Sequence, residues 1–160
     1  MNQLLDILQT NALEPREAIA KMLGTGVDEV NERIRRLESD GVIRGYQAIV
    51  NEDRIETNRR VTAVIEVKIA PERNGGFDRV ADRVAQFPEV QDVYLMSGGF
   101  DLMLFVVGED LREIAHFVSE KLSTIHGVLS CSTHFQLKTY KRNRVLMAPP
   151  APDERLAVTP

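Results

Sequence analysis

Two groups of residues in this 160-residue sequence have types and spacings that could do chemistry. The first is the run Ser97-Gly98-Gly99-Phe100-Asp101, set between the apolar stretches VYLM and LMLFVV. Glycine has no Cβ, so it passes through positive φ and lets another group approach its N–H closely. Free N–H groups at Ser97, Gly98 and Gly99 can receive a carboxylate, and Asp101 can accept from an ammonium. Together they suit an amino acid. Phe100 belongs to the same run, and Thr133 and His134, with Ser132 beside them, are candidates for reading the ligand's side chain. A purely structural reading also stands. In it Gly98-Gly99 make a hairpin turn, Phe100 packs, and Asp101 bonds to the turn backbone.

The second group is Asn31, Arg33, Arg35, Arg36 and Arg44. Arg33 and Arg36 fall beside an apolar stripe of Val30, Ile34 and Leu37 and can reach phosphate or base. Arg35 lies on the same helix, Asn31 can pair with a base edge, and Arg44 can touch the nucleic-acid backbone. The competing reading is a solvated helix face with Glu29–Arg33 and Glu32–Arg36 pairs. Residues 28 to 44 carry five acids (Asp28, Glu29, Glu32, Glu38, Asp40) against four arginines. Phosphate neutralisation supplies most non-specific affinity, so this is a weak electrostatic footprint. The formal net charge of −4 likewise requires any nucleic-acid contact to be local. Lys138, Lys141, Arg142 and Arg144 form a further basic cluster, read as a solvated end, with DNA contact as the other reading.

Other chemistries find no support. Gly24-Thr25-Gly26 lacks the third glycine of a dinucleotide fingerprint and follows a helix. His116, His126 and His134 have no metal-ligand spacing, and Cys131 is the single cysteine. No metal, cofactor or enzyme activity is expected. A lone cysteine, no apolar run near the roughly 20 residues that span a bilayer, and a start unlike a secretory signal fit the cytoplasm and no membrane.

The elements that must position these residues follow from periodicity. NQLLDILQTN, LEPREAIAKMLG and VDEVNERIRRLESDG read as three helices. Leu4, Leu5, Ile7 and Leu8, then Ile19, Met22 and Leu23, then Val27, Val30, Ile34 and Leu37 form their inner sides. GVIRGYQAIV alternates like a short strand pair, giving a winged helix-turn-helix over 1–50. The polar stretch at 51–60 is a linker. VTAVIEVKIA, VQDVYLM, DLMLFVV and VLSCSTHFQLKTYK read as strands; FDRVADRVAQF and EDLREIAHFVSEKLSTIHG, which buries Leu111, read as helices. The order βαββαβ over 61–141 predicts a ferredoxin-like α+β domain with DLMLFVV at the sheet centre. Helices on one face leave the other, with Val64 and Met103 or Leu104, in need of a partner, so a homodimer is expected. Residues 142–160, rich in proline at their end, read as a mobile tail.

RIRRLESDGVIRGY (Arg33 to Tyr46) and GGFD (Gly98 to Asp101), in this order, resemble the leucine-responsive regulatory protein/AsnC (Lrp/AsnC) family of prokaryotic transcription regulators. The likeness covers roughly residues 2 to 140, and GGFD matches the family's G-x-[Y/F]-D signature. The resemblance implies double-stranded DNA as partner, dimers through the C-terminal sheets that often assemble to octamers, and amino-acid effectors bound between C-terminal domains near that signature. Gly26 departs from the family's usual serine N-cap. Asp28, Glu29 and Glu32 stand where Ser, Ala or Arg is common. The alternative is therefore a ligand-binding assembly protein whose acidic helix-turn-helix binds DNA weakly or not at all. A third possibility, an enzyme like the architecturally similar haem-pathway decarboxylases, lacks a histidine-rich substrate motif.

Overall fold

The computed structural model describes residues 2–55, 60–71 and 76–147. The proline-rich end, 148–160, and linker residues 56–59 lie outside them. The chain divides into two compact units between Val50 and Asn51.

The first unit is three helices, α1 Gln3–Thr10, α2 Arg16–Leu23 and α3 Val27–Ser39. Their core is Leu4, Leu8, Ile19, Ala20, Val30 and Ile34, with Ile7, Leu23, Val27, Leu37 and Ile43 packed against it. Met22, expected on the inner side, is instead 61% exposed. Burial of Ala20 beside Ile19 turns it to solvent, because the position two residues after Ala20 lies about 200° around the helix. α2 ends at Gly24, whose φ of +65° closes the helix with Thr25 N–H on Ala20 O. Three residues then lead into α3, the tight spacing of a helix-turn-helix. Residues 41–50, expected as wing strands, form no strand. After Val42 and Ile43 donate to Leu37 O, Val42, Tyr46, Ile49 and Val50 stay exposed. An alternating segment becomes a strand only where another strand completes its ladder.

The second unit opens with a 3-10 turn, Glu52–Arg54. It continues as β1 Val61–Ile69, α4 Gly76–Val84, β2 Val90–Leu95, β3 Leu102–Gly108, α5 Leu111–His116 with a π-helical turn Phe117–Leu122, and β4 Val128–Phe135. The sheet is antiparallel in the order β2-β3-β1-β4, so β3 and β1 are central, as the apolar run of β3 predicts. Ala63, Ile65, Val67 and Ile69 alternate with Leu102, Leu104 and Val106 on the covered face. They pack on Val80 and Val84 of α4 and on Ile114, Phe117 and Leu122. Leu104 is thus core and Met103 open-face, which resolves the register. Leu111, expected inside, is 55% exposed, because Asp110 caps α5 through Arg112 and Glu113 N–H and turns its first residue outward.

The fourth strand, expected to run to Lys141, ends at Phe135, and residues 142–160 were expected to be tail. Instead 141–146 form a hairpin, β5 Lys141–Arg142 against β6 Val145–Leu146. Its two-residue turn holds Asn143 and Arg144 at φ 45° and 71°, a type I′ geometry whose second position favours glycine.

Candidate functional site

α3 presents two kinds of surface. At about 100° per residue, Val30 and Ile34 face inward, Arg33 flanks them, and Asp28, Glu32, Arg35 and Arg36 turn outward. The carboxylate of Glu29 accepts from both the Thr25 hydroxyl and the Arg33 guanidinium. These two hydrogen bonds and the Arg33 charge hold its carboxyl below the usual range. Arg33 is therefore engaged at the helix start. Arg35 lies 3.6 Å from Glu32 and Arg36 lies 3.7 Å from Asp40, not in the Glu32–Arg36 pairing expected. These are long, solvated contacts of side chains 70% and 81% exposed. Such pairs are worth little and yield readily to a phosphate. Asn31 is half-buried and Arg44 exposed. Gly26 caps α3 with no side-chain bond.

Periodicity did not reveal the Tyr46–Glu38 contact. The phenol donates to the carboxylate at 2.8 Å. Burial, together with that acidic neighbour, raises the phenol above its ordinary value. This bond fastens the extended segment carrying Arg44 to the end of α3, eight residues away in sequence.

At the β2–β3 loop, Met96 N–H donates to Asp101 O and Asp101 N–H to Val67 O. Gly98 has φ +138°, and neither Gly98 nor Gly99 has an atom within 4 Å of where a Cβ would stand. Ser97, Gly98 and Gly99 are exposed and Phe100 is half-buried. The Asp101 carboxylate accepts from Ile69 N–H at 2.7 Å, so it ties the loop to the end of β1 rather than to the turn backbone. β1 shifts register against β4 between Lys68 and Ile69, which is where that N–H leaves the ladder. The tie spans 32 residues.

Thr133 and His134 are not beside this loop in the same chain. Thr133 pairs with Ile65 on the covered face, and His134 pairs with Val64 on the open face. Both lie across β1 and about 7–10 Å along it from Val67. On the open face His134 Nε2 lies 3.6 Å from Glu66 Oε1 and 3.4 Å from Ser132 Oγ. Met103, Phe105 and Tyr94 line the same face, the two rings meeting edge to face at 6.1 Å. An open cleft of about 370 Å³ lies at the other end of β3. It is lined by Arg60, Glu89, Gln91, Glu109 and Glu113 and shares no residue with the loop. The half-buried Cys131 thiol is raised by burial, the reverse of an activated nucleophile. Among the described residues no group of three or more histidine, cysteine or acidic side chains could hold a metal ion, and no helix is long and apolar enough to cross a membrane.

Residues 2–44 match a winged helix-turn-helix DNA-binding family, and residues 62–146 match the Lrp/AsnC ligand-binding domain. The chain is 42% identical to an uncharacterized HTH-type transcriptional regulator, YugG, of Bacillus subtilis strain 168. That match runs over 99% of this chain and 95% of that protein. Among solved structures, a transcriptional regulator from Neisseria meningitidis in complex with L-Met aligns with a TM-score of 0.69 at 26% identity. It covers 87% of this chain and 88% of its own. An AsnC family transcriptional regulator from Agrobacterium tumefaciens aligns with a TM-score of 0.68 at 29% identity, over 89% and 92%.

Proposed function

The chain belongs to the Lrp/AsnC family of transcriptional regulators, and from that premise we propose how it works: α3 docks in the major groove of double-stranded DNA, and an amino acid or related metabolite held at the second unit tunes that binding. The observation that carries the first part is the exposure of Arg35 and Arg36 on the outer side of α3. These two supply phosphate and base contacts. Arg44, fastened through Tyr46, touches the backbone, and Asn31 reads an edge. Arg33 orders the helix start through Glu29 and contributes less than sequence alone implies. The chain is a regulator and not an enzyme, and its working compartment is the cytoplasm.

The effector carboxylate is received by the N–H groups of Ser97, Gly98 and Gly99, with Phe100 beside them. Asp101 holds the loop and leaves its second oxygen for the ammonium. Because Thr133 and His134 stand away from the loop of their own chain, they serve a ligand only from a second subunit, His134 across the open sheet face and Thr133, on the covered side of the edge strand β4, through a further contact between copies. The site is therefore built between copies. A homodimer through the open sheet faces, assembling further toward an octamer, supplies that second subunit. The Neisseria relative bound to L-Met supports an amino acid as the ligand class.

Footprinting over the DNA upstream of its own gene at low salt tests the reading. Protection is expected, and Arg35→Gln with Arg36→Gln abolishes it. A blank footprint with wild-type protein would sink DNA regulation and leave the assembly-protein alternative. Thermal-shift screening against the amino acids should raise Tm with at least one, since a ligand at 100 times its Kd stabilises by about 2.7 kcal/mol.

A further inference from the structure

An acid-free run of positive charge lies outside the helix-turn-helix. Residues 136–147 hold Lys138, Lys141, Arg142 and Arg144 and no acid, whereas the first 50 residues hold eight acids against six bases. This run is an ordered arm. Met147 N–H donates to Tyr140 O at 3.0 Å beyond the β5–β6 pairs. Two bonds fix its base. Arg142 Nη1 donates to Glu52 Oε1 at 2.7 Å, and Asn51 Nδ2 donates to Met147 O at 2.7 Å.

With Arg142 committed to that anchor, Lys138, Lys141 and Arg144 are exposed and have no acidic partner among the described residues. The contact of Lys138 is the ring of Tyr140, at 5.0 Å. Arg144 occupies a left-handed position that glycine takes at no steric cost. The turn accepts strain and carries a cation at its apex. A solvated chain end needs neither anchor nor strained turn.

We propose that the 136–147 arm is a second nucleic-acid contact, in which Lys138, Lys141 and Arg144 bind backbone phosphates of double-stranded DNA. The proposal rests on the DNA-binding reading above. On a chain of net charge −4, phosphate can approach only where positive charge is local. Two ammonium groups and a guanidinium on an anchored hairpin supply that charge without reading sequence.

The test is the salt dependence of duplex binding by the full chain, measured by fluorescence anisotropy with the upstream duplex and a scrambled one. The variant is Lys138→Gln, Lys141→Gln, Arg144→Gln. Each lost phosphate contact removes about 0.9 from the slope of log K against log salt, so the slope should become shallower by about 2 to 3. Affinity should fall equally for both duplexes. A second variant, Arg144→Gly, should keep or raise Tm by about 2–4 °C and still weaken binding. An unchanged slope overturns the proposal. So does a changed particle mass by light scattering with the slope intact, which would make the arm, with its exposed Leu137 and Leu146, a contact between copies. Arg35→Gln with Arg36→Gln, run alongside, separates failure of the arm from failure of DNA binding itself: wild-type binding that this pair abolishes, with the arm variant unchanged, rejects the arm alone.

Discussion

Lys121 lies at the end of the π-helical turn, over the ring of Phe87 at 5.8 Å, and bonds to the Glu89 carboxylate. Burial alone would raise the Glu89 carboxyl. The bond from Lys121, a backbone bond and the Lys121 charge outweigh it and hold the group below its ordinary value. The other Glu89 oxygen is buried without a hydrogen-bond partner among the described residues, so removing Lys121 leaves a poorly solvated carboxylate. Lys121→Met should cost about 1–2 kcal/mol at pH 7, a discounted figure because the lysine is 39% exposed. The sign follows from a depressed folded value. The stabilisation is complete above the unfolded pKa and vanishes as pH falls through the lower folded one, so wild type and variant should converge in acid, below the ordinary glutamate range. Urea unfolding at pH 7 and in acid checks this, and a gap that widens in acid would contradict it.

At the scale of elements, α3 begins without a side-chain cap. Gly26 has φ −83° and ψ 156°, and a Cβ there would meet nothing within 4 Å. Gly26→Ser should therefore stabilise by a few tenths of a kcal/mol, roughly 0.5 at most, read as a higher urea midpoint with unchanged slope. Loss of stability would mean that the new hydroxyl disrupts the Thr25–Glu29–Arg33 chain. The helices of the first unit and the alternation of β1 were legible in sequence, because periodicity 3.6 or 2 is set by local burial. What was hidden depends on distant partners: the Asp101–Ile69 tie across 32 residues and the Arg142–Glu52 anchor across 90. Apolar spacing carries no signal for such bonds. The strand pair expected in the wing does not form for the complementary reason, since its alternation is real and its ladder finds no partner among the described residues.

For the whole molecule, the proposed assembly rests on the open sheet face. Val64, Met103 and Phe105 lie on it and none belongs to the helix-covered core. Val64→Asp with Met103→Asp should leave the far-UV circular dichroism intact and reduce the light-scattering mass to that of one chain. An unchanged mass would place the interface elsewhere. The run Ser97 to Asp101 was legible as the loop between β2 and β3, but the placing of Thr133 and His134 was not, because they were assigned by residue type and the register sets them apart. The Asp101 tie has a consequence for binding. It fixes the glycine loop to β1 before any ligand arrives, so the entropy of ordering that loop is lost during folding and not at association. A free amino acid has few atoms, and the best small ligands gain at most about 1.5 kcal/mol for each. A receptor that had to freeze its own loop would consume much of that. Held in advance, the loop would spare the proposed small effector that cost.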